Sequence, residues 1–214
     1  MHIAITQRAD EVSSHGERRD ALDQRWATLL EAMSVTVVPL PNGLKDPQAW
    51  ANALGIQGLL LSGGNDLCGL PGAQSEAPER DRSERLLLDM ARVQQWPLLG
   101  VCRGMQMLNT YLGGTVTPVA GHVAVRHPVH PNGRPARFLT TLPQDFEVNS
   151  FHSFGIAADG LAPPLVPLLH DAQGYVEAVE HTDLRWVAVM WHPERESQLG
   201  TFELSLLTRL FKSV

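Results

Sequence analysis

Apolar residues along the 214-residue chain alternate between short solid runs and longer stretches with helical spacing. Residues 2–6 form a short apolar run, read as a buried strand with a polar loop after it. Leu22, Trp26, Leu29, Leu30 and Met33 recur at helical spacing and predict an amphipathic helix over roughly 17–33. A β-branched run at 35–40 ends at Pro41-Asn42-Gly43, a turn signal. A short helix over about 47–54 leads to a buried strand at 56–61. After a long polar loop, Leu86, Leu87, Met90 and Val93 define the inward face of a helix over about 78–96. A strand at 97–101 then runs through Cys102 into an apolar helix ending near 112.

Strand and helix alternate as βαβαβαβα, which implies an α/β fold: a doubly wound, mostly parallel sheet with helices on both faces. The second half predicts short strands at 137–141, 146–148, 165–169, 175–180 and 186–190, a small antiparallel extension. Residues 121–135 carry three prolines and read as a loop over the sheet edge. A closing helix at 197–211 places Leu199, Phe202, Leu206 and Leu210 on one face. Without repeats or low-complexity segments, the whole of 1–214 is expected to form one domain.

Composition narrows the function. The formal charge is −6, with 43% hydrophobic and 19% charged residues, so no basic face for nucleic acid is expected. A few arginines in a pocket are enough for an anionic substrate. No run of about 18 apolar residues exists to span a membrane, and the start lacks the parts of a signal peptide. Two cysteines, Cys68 and Cys102, cannot build a disulfide framework, so reduced thiols and a cytoplasmic location are expected.

Four segments carry candidate chemistry. In Gly100-Val101-Cys102-Arg103-Gly104 a strand turns sharply into a helix, the layout of a nucleophile elbow. The glycines leave room beside the turn, and the helix N-terminus favours a thiolate and offers N–H groups to an oxyanion. In Trp191-His192-Pro193-Glu194 a base follows a strand, with a carboxylate two residues on to orient it. Ser62-Gly63-Gly64 ends a strand with backbone that can approach a reacting carbonyl, although such a pair is more often only a turn. Asn149-Ser150-Phe151-His152-Ser153, taken alone, reads as a polar loop with a satisfied histidine. His122, His127 and His130 are close in sequence, but prolines break any helix there and no carboxylate or thiol is near. A polar loop without metal is the expectation, and no cofactor is called for. Cys68 is expected to be structural.

A cysteine α/β-hydrolase would share the elbow, but there the carboxylate precedes the histidine in the chain. GVCRGMQMLN, LSGGND, VNSFHSFGI and MWHPE, in this order, resemble the class I glutamine amidotransferase-like superfamily, and within it the γ-glutamyl hydrolase branch. That branch includes γ-glutamyl-γ-aminobutyrate hydrolases. The segments ITQR, ERRDALDQRW, PLPN and WHPERE are closer to the γ-glutamyl-CDP-amidate hydrolases. The resemblance implies a flavodoxin-like fold and hydrolysis of a γ-glutamyl amide. It implies Cys102 as nucleophile, His192 as base, Glu194 as its orienting acid, and oxyanion donors from the backbone of Gly64 and Arg103. It implies that Gln106, Ser150, Phe151 and His152 hold the γ-glutamyl end.

The partner to expect is a small γ-glutamyl molecule. A second copy as a homodimer, or a synthetase taking up ammonia, are the macromolecular options. For the amine half, Arg8, Arg18, Arg19, Arg103 and Arg195 suggest an anion such as a nucleotide-linked phosphoramidate, with a small amine such as γ-aminobutyrate as the alternative. Arg8 and Arg19 are its first candidates. Pairing of these arginines with Asp10, Glu17, Asp20 and Glu196 is the plainer explanation for any single one.

Overall fold

The computed structural model describes residues 1–138, 146–196 and 201–212. The strands are β1 His2–Thr6, β2 Arg8–Val12, β3 Glu17–Ala21, β4 Thr36–Leu40, β5 Gly58–Leu61, β6 Leu98–Val101 and β7 Thr117–Pro118. They continue with β8 Val123–Pro131, β9 Phe146–Phe151, β10 Phe154–Gly155, β11 Leu165–His170, β12 Val176–His181 and β13 Trp186–Val189. The helices are α1 Arg25–Ala32, α2 Pro47–Ala53, α3 Pro78–Val93, α4 Arg103–Tyr111 and α5 Thr201–Lys212. Among the described residues, no helix is long and apolar enough to cross a membrane.

One nine-stranded sheet organises the chain, in the order β4-β1-β5-β6-β13-β12-β11-β8-β9. The five strands from β4 to β13 are mutually parallel, and β12, β11, β8 and β9 continue as an antiparallel extension. The parallel strands read as solid apolar runs because both faces are covered. Along β1, Ile3 and Ile5 face one cluster while Ala4 faces the other, as the period of two requires. Leu29 and Leu30 of α1 and Leu206 and Leu210 of α5 cover the first face. Ala51 of α2, Leu87 and Leu88 of α3, and Met105 and Leu108 of α4 cover the second. Local signals fix the helix starts. Pro47 and Pro78 occupy first-turn positions, and the Asp46 side chain accepts the Ala49 N–H at 2.8 Å.

Four expectations are corrected. The helix expected from residue 17 begins at Arg25, and Glu17–Ala21 instead pairs antiparallel with Arg8–Val12, where a polar loop was expected. Opposite charges face each other across this hairpin at Asp10–Arg19 and Glu11–Arg18, so cross-strand pairing overrides the helical propensity of the segment. The loop expected at 121–135 contains the strand β8. Over most of its length β8 pairs with β9 alone, meeting β11 only at His130 and Pro131, and an edge-like strand tolerates prolines. Val93 is 78% exposed rather than inward, because α3 rotates Arg80, Ser83 and Glu84 into the interior. Arg137 lies outside any strand, its N–H bonded to the Glu180 carboxylate at 2.9 Å. The rest of that expected strand (139–141), and residues 197–200 of the expected last helix, lie outside the described residues.

The crossing of β6 and α4 behind β5 sets the tightest packing. A β-carbon on Gly104 would overlap the carbonyl oxygen of Leu61, whereas one on Gly43 would meet nothing within 4 Å. Gly104→Ala is therefore expected to lower stability by about 3 kcal/mol or more, at or beyond the usual overpacking range. Gly43→Ala should stay within about 0.5 kcal/mol. Urea unfolding midpoints of the two variants check this, and equal effects would contradict the packing described.

Candidate active site

Cys102 stands between the end of β6 and the first residue of α4, with φ 53° and ψ −107°. That backbone is strained for a residue with a β-carbon, and such strain persists only where neighbours enforce it. The turn places the thiol at the carboxyl end of the parallel strands, above the N-terminus of α4. There the N–H groups of Met105 and Gln106 both donate to the Cys102 carbonyl, at 2.9 and 3.2 Å.

His192 follows β13, the strand beside β6. Its Nδ1 lies 2.7 Å from Glu194 Oε1, leaving Nε2 for the Cys102 thiol. Burial opposes charging this imidazole. The negative charge and hydrogen bond of Cys102, with Glu194 added, outweigh burial and raise the His192 pKa to about 9. Asn149 of β9 clamps the backbone of His192 from both sides. Its amide donates to the His192 carbonyl at 2.8 Å, and its carbonyl accepts the His192 N–H at 3.0 Å. The ring rests so closely on the end of β5 that a β-carbon on Gly63 would come within 2.5 Å of its Cε1.

The Gly63-Gly64 turn is held from beneath by Arg80, which is wholly buried. Its guanidinium donates to the carbonyls of Ser62, Gly63 and Gly64 at 2.6, 3.1 and 2.5 Å, and its Nε donates to Glu84 at 2.8 Å. Burial and the neighbouring Arg103 draw the Arg80 pKa down to about 10, which leaves it charged at neutral pH. The Arg103 side chain turns away from the thiol and pairs with Asp81 and Glu84. Asn65 ties the same turn to the β2–β3 hairpin, exchanging hydrogen bonds with the Ala9 backbone at 2.8 and 3.0 Å.

Two clefts meet at His192 and share Gly64 and Arg195. One, of about 210 Å³, is lined by Cys102, Gln106, Phe151, His152, Ser153 and Phe154, among others. The other, of about 190 Å³, is lined by Arg8, Asp23, Trp26, Glu194 and Arg195, among others. The structure thus brings Cys102, His192, Glu194, Gly64, Arg103, Gln106, Phe151, His152 and Arg8 to one place.

It leaves two expected residues outside. Ser150 is buried with its hydroxyl on the His122 carbonyl at 2.7 Å, because alternation along β9 turns it from the cleft. Arg19 lines neither cleft and bonds to Glu17 at 2.7 Å. Of the other arginines weighed for an anion, Arg18 pairs with Glu79 and Arg103 is committed internally. Gln106 lines the cleft while its amide nitrogen holds the Phe154 carbonyl at 2.9 Å. Cys68 is a poor rival thiol: burial, then Asp81, push its pKa up to about 11. Arg80 is the residue that sequence reasoning missed, and Asn149, inside a segment already singled out, was given no role of its own. The i, i+4 spacing of Arg80 and Glu84 was the available signal, but it looks like an ordinary surface pair.

The Peptidase C26 family pattern matches residues 2–194. The chain belongs to the Peptidase C26 family. The family, together with a γ-glutamyl-CDP-amidate hydrolase among its relatives, supports a hydrolase. This C26 member is 32% identical over 206 residues to γ-glutamyl-CDP-amidate hydrolase of Campylobacter jejuni, covering 95% of each chain. It is also 32% identical over 141 residues to anthranilate synthase component 2 of Mycobacterium tuberculosis, covering 65% of this chain and 55% of that one. Its fold matches a glutamine amidotransferase from Thermotoga maritima with a TM-score of 0.65 at 15% identity, covering 91% and 76% of the two chains.

The raised His192 pKa carries a pH dependence. A pKa above the usual 6.5 means the imidazolium persists through neutrality and is lost only as pH rises through about 9. The kcat/KM profile on a γ-glutamyl amide should therefore show a descending limb near pH 9 that moves to lower pH in Glu194→Gln. A limb near 6.5 in the wild type would contradict the electrostatics described.

Proposed function

We propose that the chain hydrolyses a γ-glutamyl amide through a covalent thioester on Cys102, with His192 as base and Glu194 as its orienting acid. The observation that carries this is the buried His192–Glu194 pair at 2.7 Å, facing a thiol on a strained turn where two clefts meet. With His192 already an imidazolium at neutral pH, Cys102 attacks the γ-carbonyl carbon as the thiolate of that pair. Backbone N–H groups of Gly64 and Arg103 take the developing oxyanion, consistent with the role of Arg80 in setting the Gly63-Gly64 turn. Collapse breaks the C–N bond, and the leaving amine carries away the His192 proton. Water, deprotonated by His192, then opens the thioester. Glutamate leaves, and the thiolate of Cys102 and the imidazolium of His192 are restored.

The cleft lined by Gln106, Phe151 and His152 suits the γ-glutamyl end, and the cleft lined by Arg8 and Arg195 suits the amine. Arg8 is half-exposed and bonded to Asp10 at 3.1 Å. Arg195 stacks on Phe151 with its guanidinium 4.7 Å from the ring centre. Both retain donors that can face an anion. Together with the likeness to a γ-glutamyl-CDP-amidate hydrolase over nearly the full chain, this supports an anionic amine half, a nucleotide-linked phosphoramidate. The second reading is a glutaminase subunit that delivers ammonia to a synthetase, which the likeness to anthranilate synthase component 2 favours. Turnover by the purified chain alone separates the two, since a delivery subunit would need its partner.

Cys102→Ala should lose at least about a thousandfold in kcat, as removal of such a nucleophile does elsewhere, with little change in unfolding midpoint. Residual activity above a few per cent, scored as released glutamate, would remove Cys102 from this role. Arg8→Ala should raise KM roughly tenfold or more for a phosphorylated γ-glutamyl amide while sparing a neutral γ-glutamyl anilide. Arg19→Ala should change neither. Equal effects of Arg8→Ala on the two substrates would dispose of the anionic amine.

A further inference from the structure

Beside the thiol cleft, four buried or half-buried side chains converge. His122 precedes β8, His127 lies on it, His152 follows β9, and Glu177 lies on β12. One ligand atom from each lies within 4.8 Å of every other. His122 Nδ1, His127 Nε2 and His152 Nε2 stand 3.9, 3.9 and 3.7 Å from Glu177 Oε1. These same four atoms lack a hydrogen-bond partner among the described residues. Buried polar atoms are rarely left so, and four at one point call for an explanation.

The outer nitrogens of the three rings show what that explanation is. His122 Nε2 lies 3.0 Å from Asp171 Oδ2, with the Gln173 amide 3.4 Å away. Asp171 is itself fixed, its Oδ1 accepting the N–H groups of Gln173 and Tyr175 at 2.9 and 2.8 Å. His152 Nδ1 donates to the Phe154 carbonyl at 2.9 Å, and His127 Nδ1 lies 3.2 Å from the Pro128 carbonyl. Each ring therefore spends its N–H outward and turns a lone pair inward, towards a carboxylate. Four acceptors facing one another repel unless a cation stands between them. A single proton between Glu177 and one imidazole would satisfy only two of the four. Outer acceptors that fix the imidazole tautomer are the usual companions of metal-bound histidine.

We propose that His122, His127, His152 and Glu177 form a four-coordinate site for a divalent transition metal of the zinc class. Three imidazoles and one carboxylate suit zinc and disfavour magnesium or calcium, which take oxygen ligands. With bonds of about 2.0–2.2 Å, tetrahedral ligand atoms lie ~3.3 Å apart, so the three spacings to Glu177 need to close by about half an ångström and the widest pair by up to about 1.5 Å. All four positions are filled by protein, which marks the site as structural. Its mechanical use follows from the sheet. The β8–β9 ribbon meets β11 at only two residue pairs, Leu169–Pro131 and His170–His130, whereas the metal would bind it directly to β12. That ribbon carries Asn149, the clamp on His192, and Phe151 on the cleft wall.

The test is metal content and spectroscopy of the full chain. Protein purified without chelator, then dialysed, should hold about one equivalent of zinc. After stripping with phenanthroline and adding Co²⁺, it should show the visible absorption of tetrahedral cobalt, and Zn²⁺ should raise the melting temperature of the stripped chain. Asp171→Asn should weaken Zn²⁺ binding by roughly 10–100-fold. Glu177→Gln and His127→Ala should weaken it at least as much. His130→Ala, on the same strand but outside the cluster, should bind as the wild type does. Should a ligand variant fail to fold, the wild-type cobalt spectrum decides. Uptake below about a tenth of an equivalent with no cobalt spectrum would overturn the site, as would uptake unchanged in folded Glu177→Gln or His127→Ala.

Discussion

The backbone of Cys102 is the constraint on which the rest of the site depends. A residue with a β-carbon does not rest at φ 53°, ψ −107° unless the chain on both sides is fixed. On one side β6 is held in the middle of the parallel sheet, between β5 and β13. On the other, α4 is pulled against β5 until only a glycine fits at position 104. The Cys102 N–H donates to the Val189 carbonyl of β13 at 2.8 Å, so the strand that leads to His192 also fixes the turn that carries the thiol. Cys102 and His192 are thus positioned by one pair of adjacent strands, and their separation is a property of the sheet rather than of loops.

Charge buried beneath the site does a second job. Arg80, Glu84, Arg103 and Asp81 form a four-membered network with two charges of each sign. Burial opposes ionising Glu84, but Arg103 and Arg80 outweigh it and hold its pKa low. An ion pair taken out of water contributes little net stability compared with apolar packing. Its value here is geometric. The planar guanidinium of Arg80 reaches three successive carbonyls, fixing a Gly-Gly turn that has no side chains of its own to pack.

The legibility of the sequence follows from these interactions. The parallel strands and the elbow were readable because solid apolar runs and G-x-C-x-G have a local physical cause. The His192–Glu194 pairing was readable because the two residues are separated only by a proline. The β2–β3 hairpin was not, since Glu17–Ala21 has helix-forming residues and becomes a strand through charges opposite it and through Asp20 bonding to Asn42. The inward turn of Arg80 and Glu84 was hidden for the same reason: an i, i+4 charge pair reads as surface until a wholly buried environment is known. Ser150 and His152 sit two residues apart and go separate ways because the strand ends between them. His122 and His127 were read as loop residues because their carboxylate, Glu177, is distant in sequence and adjacent only in the fold.

The account centres on a covalent γ-glutamyl group at Cys102, and the most direct measurement is to catch it. The purified chain would be mixed with a γ-glutamyl amide, quenched in acid within the first turnovers, digested and analysed by mass spectrometry. The account predicts the added mass of one γ-glutamyl group on the peptide containing Cys102, absent from the peptide containing Cys68 and lost on standing at neutral pH. Turnover at full rate with Cys102 unmodified at every quench time, or the group found on another residue, would contradict it.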